Sequence, residues 1–178
     1  IIHQVDDFAI GCKDKAVAEN IIDIIDGHMT IKIKHIGVID RFNGIDITQT
    51  RHYIKIRNQT YFDKILETKK LPSKPNYLHP IPMNPDPAYN REIEEAIPLT
   101  DSDREATENE YGFTYRQGIG ELIYGMVTCR PDISYPLIKL SQYSANPALI
   151  HFQALQGIFD YIRATISDGI YYWRELPL

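Results

Sequence analysis

Between Leu71 and Asn90 the chain carries Pro72, Pro75, Pro80, Pro82, Pro85 and Pro87, six prolines within sixteen residues. Proline lacks a backbone N–H and has a fixed φ, so neither a helix nor a central strand can run through such a stretch. The 178 residues must therefore fold as material before the prolines and material after them, joined by a linker or long surface connection. Charge sharpens the divide. Residues 81–110 hold 2 Lys/Arg against 9 Asp/Glu, whereas residues 1–80 hold 12 against 10 and residues 111–178 hold 5 of each. Prolines that break regular structure and like charges that repel predict that residues 72–112 lie on the surface or pack poorly.

Before the prolines, the chain opens "IIHQVDDFAIGC". Two short β-leaning apolar runs flank Asp6 and Asp7, which predicts a hairpin with the acidic pair at its tip. Aspartate is a common turn residue, so a plain turn satisfies the pattern. A pair of carboxylates held to share divalent metal satisfies it too, since oxygen ligands suit Mg²⁺. Next, Val17, Ile21, Ile24, Ile25 and Met29 recur at helical spacing, with Asp14 as N-cap and Gly27 at the end. Alternating β-branched runs predict strands at 34–39, 43–49 and 52–57, the last two as a hairpin, and "TYFDKILETKKL" predicts a short amphipathic helix capped by Thr60. Hairpin, helix and further strands make an α+β layer.

After the prolines the pattern is helical. "YRQGIGELIYGMVT", "RPDISYPLIKLSQYS" and "ANPALIHFQALQGIFDYIRAT" predict three helices, the second starting at Pro131 and the third capped by Asn146. "GIG" at 118–120 suits close packing on a neighbour. The closing "GIYYW" reads as a strand with its partners missing. No apolar run approaches the roughly 18 residues that span a bilayer, and no signal peptide is expected. A first residue that is not Met, inside an apparent strand, predicts a piece of something longer. Cys12 and Cys129 fit no metal or redox spacing, so both are expected as buried thiols.

The net charge of −5 argues against nucleic-acid binding until it is divided along the chain. Residues 51–74 carry Arg51, Lys55, Arg57, Lys64, Lys69, Lys70 and Lys74 against two acids, so a local basic face is available. Tyr53 and Tyr61 among them are candidates to stack on bases or sugars, although core or interface tyrosines are the commoner outcome. None of His3, His28, His35, His52, His79 or His151 shows metal-ligand spacing.

The stretch 115–172, with "CRPDI" at 129–133, together with the "VDD" turn, the "FNGIDI" strand and the "QTYFDKIL" helix, resembles the reverse transcriptase region of copia-type long-terminal-repeat retrotransposons. The resemblance covers nearly the whole chain. It implies an α+β fold: a partial palm at 1–58, the start of a thumb and an acidic linker at 59–112, and a helical thumb and connection at 113–178 leading towards an RNase H domain. It implies that Asp6 and Asp7 are catalytic carboxylates holding Mg²⁺ (or Mn²⁺) for two-metal nucleotidyl transfer. Gln4, Arg51, Tyr53, Lys55, Arg57 and Lys64 would face an RNA/DNA primer–template, with dNTP as substrate. Gln4 stands where the family has Tyr. The family's third metal-binding aspartate and its fingers would precede residue 1, so the isolated chain is expected to be inactive. A degenerate copy that only binds nucleic acid or a partner is the other reading, and an unrelated metal-dependent phosphohydrolase a third. The implied location is a cytoplasmic virus-like particle, the nucleus or both, with no membrane.

Overall fold

The computed structural model describes residues 1–4, 7–34, 37–69 and 81–175. Its elements run β1 (Ile2–Gln4), β2 (Asp7–Ala9), α1 (Lys15–His28), β3 (Arg41–Phe42), β4 (Ile45–Gln49), β5 (Tyr53–Arg57), α2 (Gln59–Glu67), α3 (Pro87–Glu95), α4 (Asp101–Tyr111), α5 (Tyr115–Thr128), α6 (Ser134–Ser141), α7 (Leu149–Ala164) and β6 (Ile170–Trp173). The class is α+β. One sheet is the β1–β2 hairpin; the other has the antiparallel order β3-β4-β5-β6.

The core is helical. Along α7, Phe152, Leu155, Ile158, Phe159 and Ile162 are fully buried, at the spacing that puts them on one side of a helix. They meet Leu122 of α5, Leu137 and Leu140 of α6, Phe62 of α2 and Ile93 of α3. Each such side chain contributes about 1.5–3 kcal/mol by leaving water. Two glycines of α5 allow close approaches within this core. A Cβ on Gly118 would lie 2.9 Å from the Phe113 ring, and one on Gly125 would run into the Phe62 ring. Gly120, the second glycine of "GIG", faces open space.

Residues 87–111 depart from the expected loose connection. Asp86 caps α3 by accepting from Ala88 N–H, with Pro87 at the first helical position, and Thr100 and Asp103 cap α4. Ile93 is fully buried, and the Lys139 ammonium on α6 reaches Asn90 Oδ1 and Glu94 Oε1 at 2.9 and 2.7 Å. His151 on α7 accepts Ala148 N–H at Nδ1, so its Nε2–H is the donor to the Ile93 carbonyl, at 2.8 Å. Local capping and contacts to later helices outweigh the charge repulsion that composition suggested. Pro72 to Pro80, also within that expectation, lie outside the described residues.

Three caps also differ from expectation. Helix α2 starts with Asn58 at its N-cap, and Asp46 on β4 supplies the carboxylate: Oδ2 accepts Thr60 N–H and Oδ1 accepts the Thr60 hydroxyl. Helix α7 begins after Ala148, not Asn146, because the His151 ring takes the free backbone donor. A 3₁₀ turn, Pro131–Ile133, precedes α6. Helix α1 has its expected Asp14 cap and runs one residue past Gly27.

In the strands, residues 34 and 37–39 are not extended pairs; β3 starts at Arg41. Asn43 and Gly44, with φ of +49° and +78°, make the two-residue turn into β4, a backbone shape for which Asn-Gly is the favoured pair. The Tyr124 hydroxyl on α5 donates to the Asn43 carbonyl at 2.8 Å and pins that turn to the helices. The closing "GIYYW" does find a partner: β6 pairs with β5, with Ile56 opposite Ile170 and Tyr53 opposite Trp173. Gly169 allows the approach, since a Cβ there would meet the Ile56 carbonyl. Cys129 is buried as expected, and burial pushes its thiol up to about 11, but Cys12 is exposed.

Candidate nucleic-acid interface

The first hairpin places the acidic motif. Gln4 pairs with Asp7 and His3 with Phe8, whose rings stack 4.6 Å apart. Asp7 opens β2 and is exposed. Asp6 lies outside the described residues. Among the described residues no group of three His, Cys, Asp or Glu side chains comes together to hold a metal ion.

The basic residues divide among three places. Tyr53, Lys55 and Arg57 alternate along β5 and so share one face of the four-stranded sheet. Arg51 is exposed in the turn before β5, and Lys64 is exposed on α2. Gln4 belongs to the other sheet. Lys69 leaves the basic face altogether. Its fully buried ammonium pairs with Glu121 of α5 and lies over the rings of Phe113 and Phe159, at 4.6 and 4.9 Å. Tyr61 is an interface residue: its hydroxyl donates to the Glu121 carbonyl and its ring packs on Tyr124. Burial, reinforced by Glu121, pushes its pKa up to about 12.

Strand β6 adds two side chains that sequence reasoning missed. Tyr171 lies opposite Lys55 and Trp173 opposite Tyr53, so both rings join the Tyr53 face. Tyr53 sits edge-on to each, at 5.1 and 5.3 Å, and the Lys55 ammonium stands 4.8 Å from the Tyr171 ring centre. Two aromatics separated by one residue in a strand were the signal. Without knowledge of the strand's partner, the signal had no surface to belong to.

The motif "CRPDI" is structural. The Arg130 guanidinium is buried and donates to both Asp132 oxygens, to the Thr165 carbonyl at 3.1 Å and to the Thr165 hydroxyl at 2.6 Å. It thereby closes the C-terminal end of α7. Burial raises the Asp132 pKa, but hydrogen bonds from Arg130 and the Tyr161 hydroxyl outweigh it and hold the carboxyl below its usual range. Ile133 is fully buried.

No family model matches the chain, and no solved structure does. Among curated proteins it is 24% identical over 180 residues to the retrovirus-related Pol polyprotein from transposon TNT 1-94 of Nicotiana tabacum, covering 100% of this chain and 13% of that protein. To the retrovirus-related Pol polyprotein from transposon RE1 of Arabidopsis thaliana it is 30% identical over 168 residues, 94% of this chain and 10% of that protein. A transposon Ty5-1 protein of Saccharomyces cerevisiae is 25% identical over 141 residues, 79% of this chain and 41% of that protein. The chain thus spans about a tenth of the length of the two Pol polyproteins. No helix among the described residues is long and apolar enough to cross a membrane. The chain is accordingly a relative of the Pol polyproteins of copia-type retrotransposons, matched over most of its own length to a short segment of theirs.

Proposed function

We propose that the chain is part of the RNA-directed DNA polymerase of such a polyprotein, and that by itself it binds a primer–template without extending it. In this reading residues 1–58 derive from the palm, 59–112 lead into the thumb, and 113–178 form the helical thumb and connection. The match to Pol polyproteins over most of the chain carries the reading. The alternation of Tyr53, Lys55 and Arg57 on one sheet face supports it, as cations and aromatics suit a phosphate backbone and its bases. Asp6 and Asp7 would supply two carboxylates towards Mg²⁺ or Mn²⁺. A further carboxylate, the fingers and the dNTP phosphates would come from elsewhere. Positioning and charge stabilisation supply most of the rate in such transfers, so their loss costs many orders of magnitude.

Primer extension on a homopolymer template tests the assignment. The 178-residue chain is expected to be inactive, and a form extended through an upstream palm is expected to be active and silenced by Asp6→Asn. Activity in the chain alone, or an extended form indifferent to Asp6→Asn, overturns it. Duplex binding tests the interface. Replacing Lys55, Arg57 and Lys64 together by Ala should weaken it and lower the salt slope by about 0.9 for each phosphate that is no longer neutralised.

A further inference from the structure

We propose that Tyr171 and Trp173, braced by Tyr53 and flanked by Lys55 and Arg57, form a stacking platform for the unpaired bases of a single-stranded nucleic acid. The proposal rests on the nucleic-acid reading above and narrows it to one form of nucleic acid on one face.

The rings of Tyr171 and Trp173 lie nearly parallel, 15° apart, with centres 6.0 Å from one another. Both remain open, with 43% and 48% of their surface exposed. Large half-exposed rings clustered on one sheet face mark a binding surface, and aromatic faces favour stacked or edge-on aromatic partners. Their spacing says what form the cover takes. Bases in a duplex strand follow one another at about 3.4 Å, so rings 6.0 Å apart suit bases that have come out of the stack. Tyr53, edge-on to both rings at 65° and 68°, holds them in place, so little side-chain freedom is lost on binding.

Charge points to the same occupant. The Lys55 ammonium stands 4.8 Å from the Tyr171 ring centre, within reach of the phosphate of a base stacked there. Arg57, two residues along the same face, has a buried Nε without a hydrogen-bond partner. The carboxylate opposite Arg57, Asp46, is already engaged by Thr60 and Arg41. The face therefore presents cations beside aromatics, the pairing that binds single strands with little sequence preference.

Trp173 is the one tryptophan in the sequence, so its fluorescence reports the platform directly. With the full chain, a short oligothymidylate should quench Trp173, and an abasic oligomer of equal length should not. Binding of the labelled oligothymidylate should weaken about tenfold in Trp173→Ala with the salt slope unchanged, and should be largely retained in Trp173→Phe. Lys55→Ala should instead lower the slope by about 0.7. Tyr171→Ala, which keeps the fluorophore, guards against a Trp173→Ala chain that fails to fold. Unweakened binding by both Tyr171→Ala and Trp173→Ala, or equal quenching by the abasic oligomer, overturns the platform. If blunt duplex still binds through Lys55, Arg57 and Lys64, only the platform has failed and the nucleic-acid reading of the face stands. If no nucleic acid binds in any form, platform and nucleic-acid reading fall together.

Discussion

The two ends of the chain carry different burdens. From α5 to α7, with α2 and α3 against them, aliphatic and aromatic side chains reach complete burial, and even the polar groups of Arg130 and His151 are enclosed and bonded. In the first hairpin and α1, no described side chain is buried, and Ile1, Ile2, Phe8, Val17 and Ile24 face solvent. Yet that loosely packed end holds Asp7, which with Asp6 would serve the metal in the proposed function. Side chains that serve a metal must be held rigidly by what surrounds them. Among the described residues full burial supplies such support around α5 to α7 and does not reach the first hairpin or α1.

The largest expected effect comes from the packed half. Phe159→Ala removes a fully buried ring touching Phe113 and the Lys69 ammonium. It should cost about 3–5 kcal/mol in denaturant unfolding. A loss under about 1 kcal/mol would mean that the helices do not form one tight core. Arg130→Ala comes next, at about 3 kcal/mol, because it strands Asp132 and the Thr165 carbonyl in a partly buried place. A small loss there would leave "CRPDI" free for a role outside the fold.

A smaller effect depends on pH. Burial holds the His151 pKa below its usual value, although its bond to the Ile93 carbonyl acts the other way. The unfolded chain therefore takes up the proton more readily. Stability from this group is complete above about pH 6.5 and is lost as pH falls through the lowered folded value. Protonation would also set Nδ1–H against the Ala148 N–H that it now accepts. His151→Phe should flatten the fall in stability between neutral and mildly acidic pH. An unchanged slope would assign the fall to other groups.

Much of the fold was legible in local pattern. The periodicity of α5 and α7, the Asp14 cap and the turn residues around the strands lie within a few positions of one another, where sequence spacing maps onto structure. What could not be read was non-local. Pairing of β6 with β5 joins Ile170 to Ile56, and the cap on α2 comes from Asp46, a strand away. Acidic composition hid α3 and α4, although Asp86-Pro87 and Thr100 with Asp103 were cap signals in plain view. Lys69 looked like one more surface cation because nothing local announces an aromatic pocket formed by Phe113 and Phe159. Of the candidate site, the β5 residues came out together on one face. Asp6 lies outside the described residues, and the rings of β6 depended on a partner strand that no pattern named.

The smallest expected effect is the sharpest test of the contrast. Ile24 in α1 and Ile158 in α7 are the same residue in the same kind of element, but Ile24 is 54% exposed and Ile158 is fully buried. Replacing Ile158 by Ala should cost about 2–5 kcal/mol through lost burial and the cavity left behind. Replacing Ile24 by Ala uncovers little and substitutes a better helix former, so the change should stay within about 0.5 kcal/mol of zero. Hydrogen exchange should agree: amides of α1 should exchange by local opening at low free energy, and those of α7 only with global unfolding. Equal losses for the two substitutions, or α1 amides as protected as those of α7, would show that α1 and the hairpin belong to the same cooperative unit. Asp7 would then rest on support from within this chain. A near-zero effect at Ile24 instead means that α1 gains its packing only from a segment outside the described residues. An extended form would show this directly, with the cost of Ile24→Ala rising towards that of Ile158→Ala.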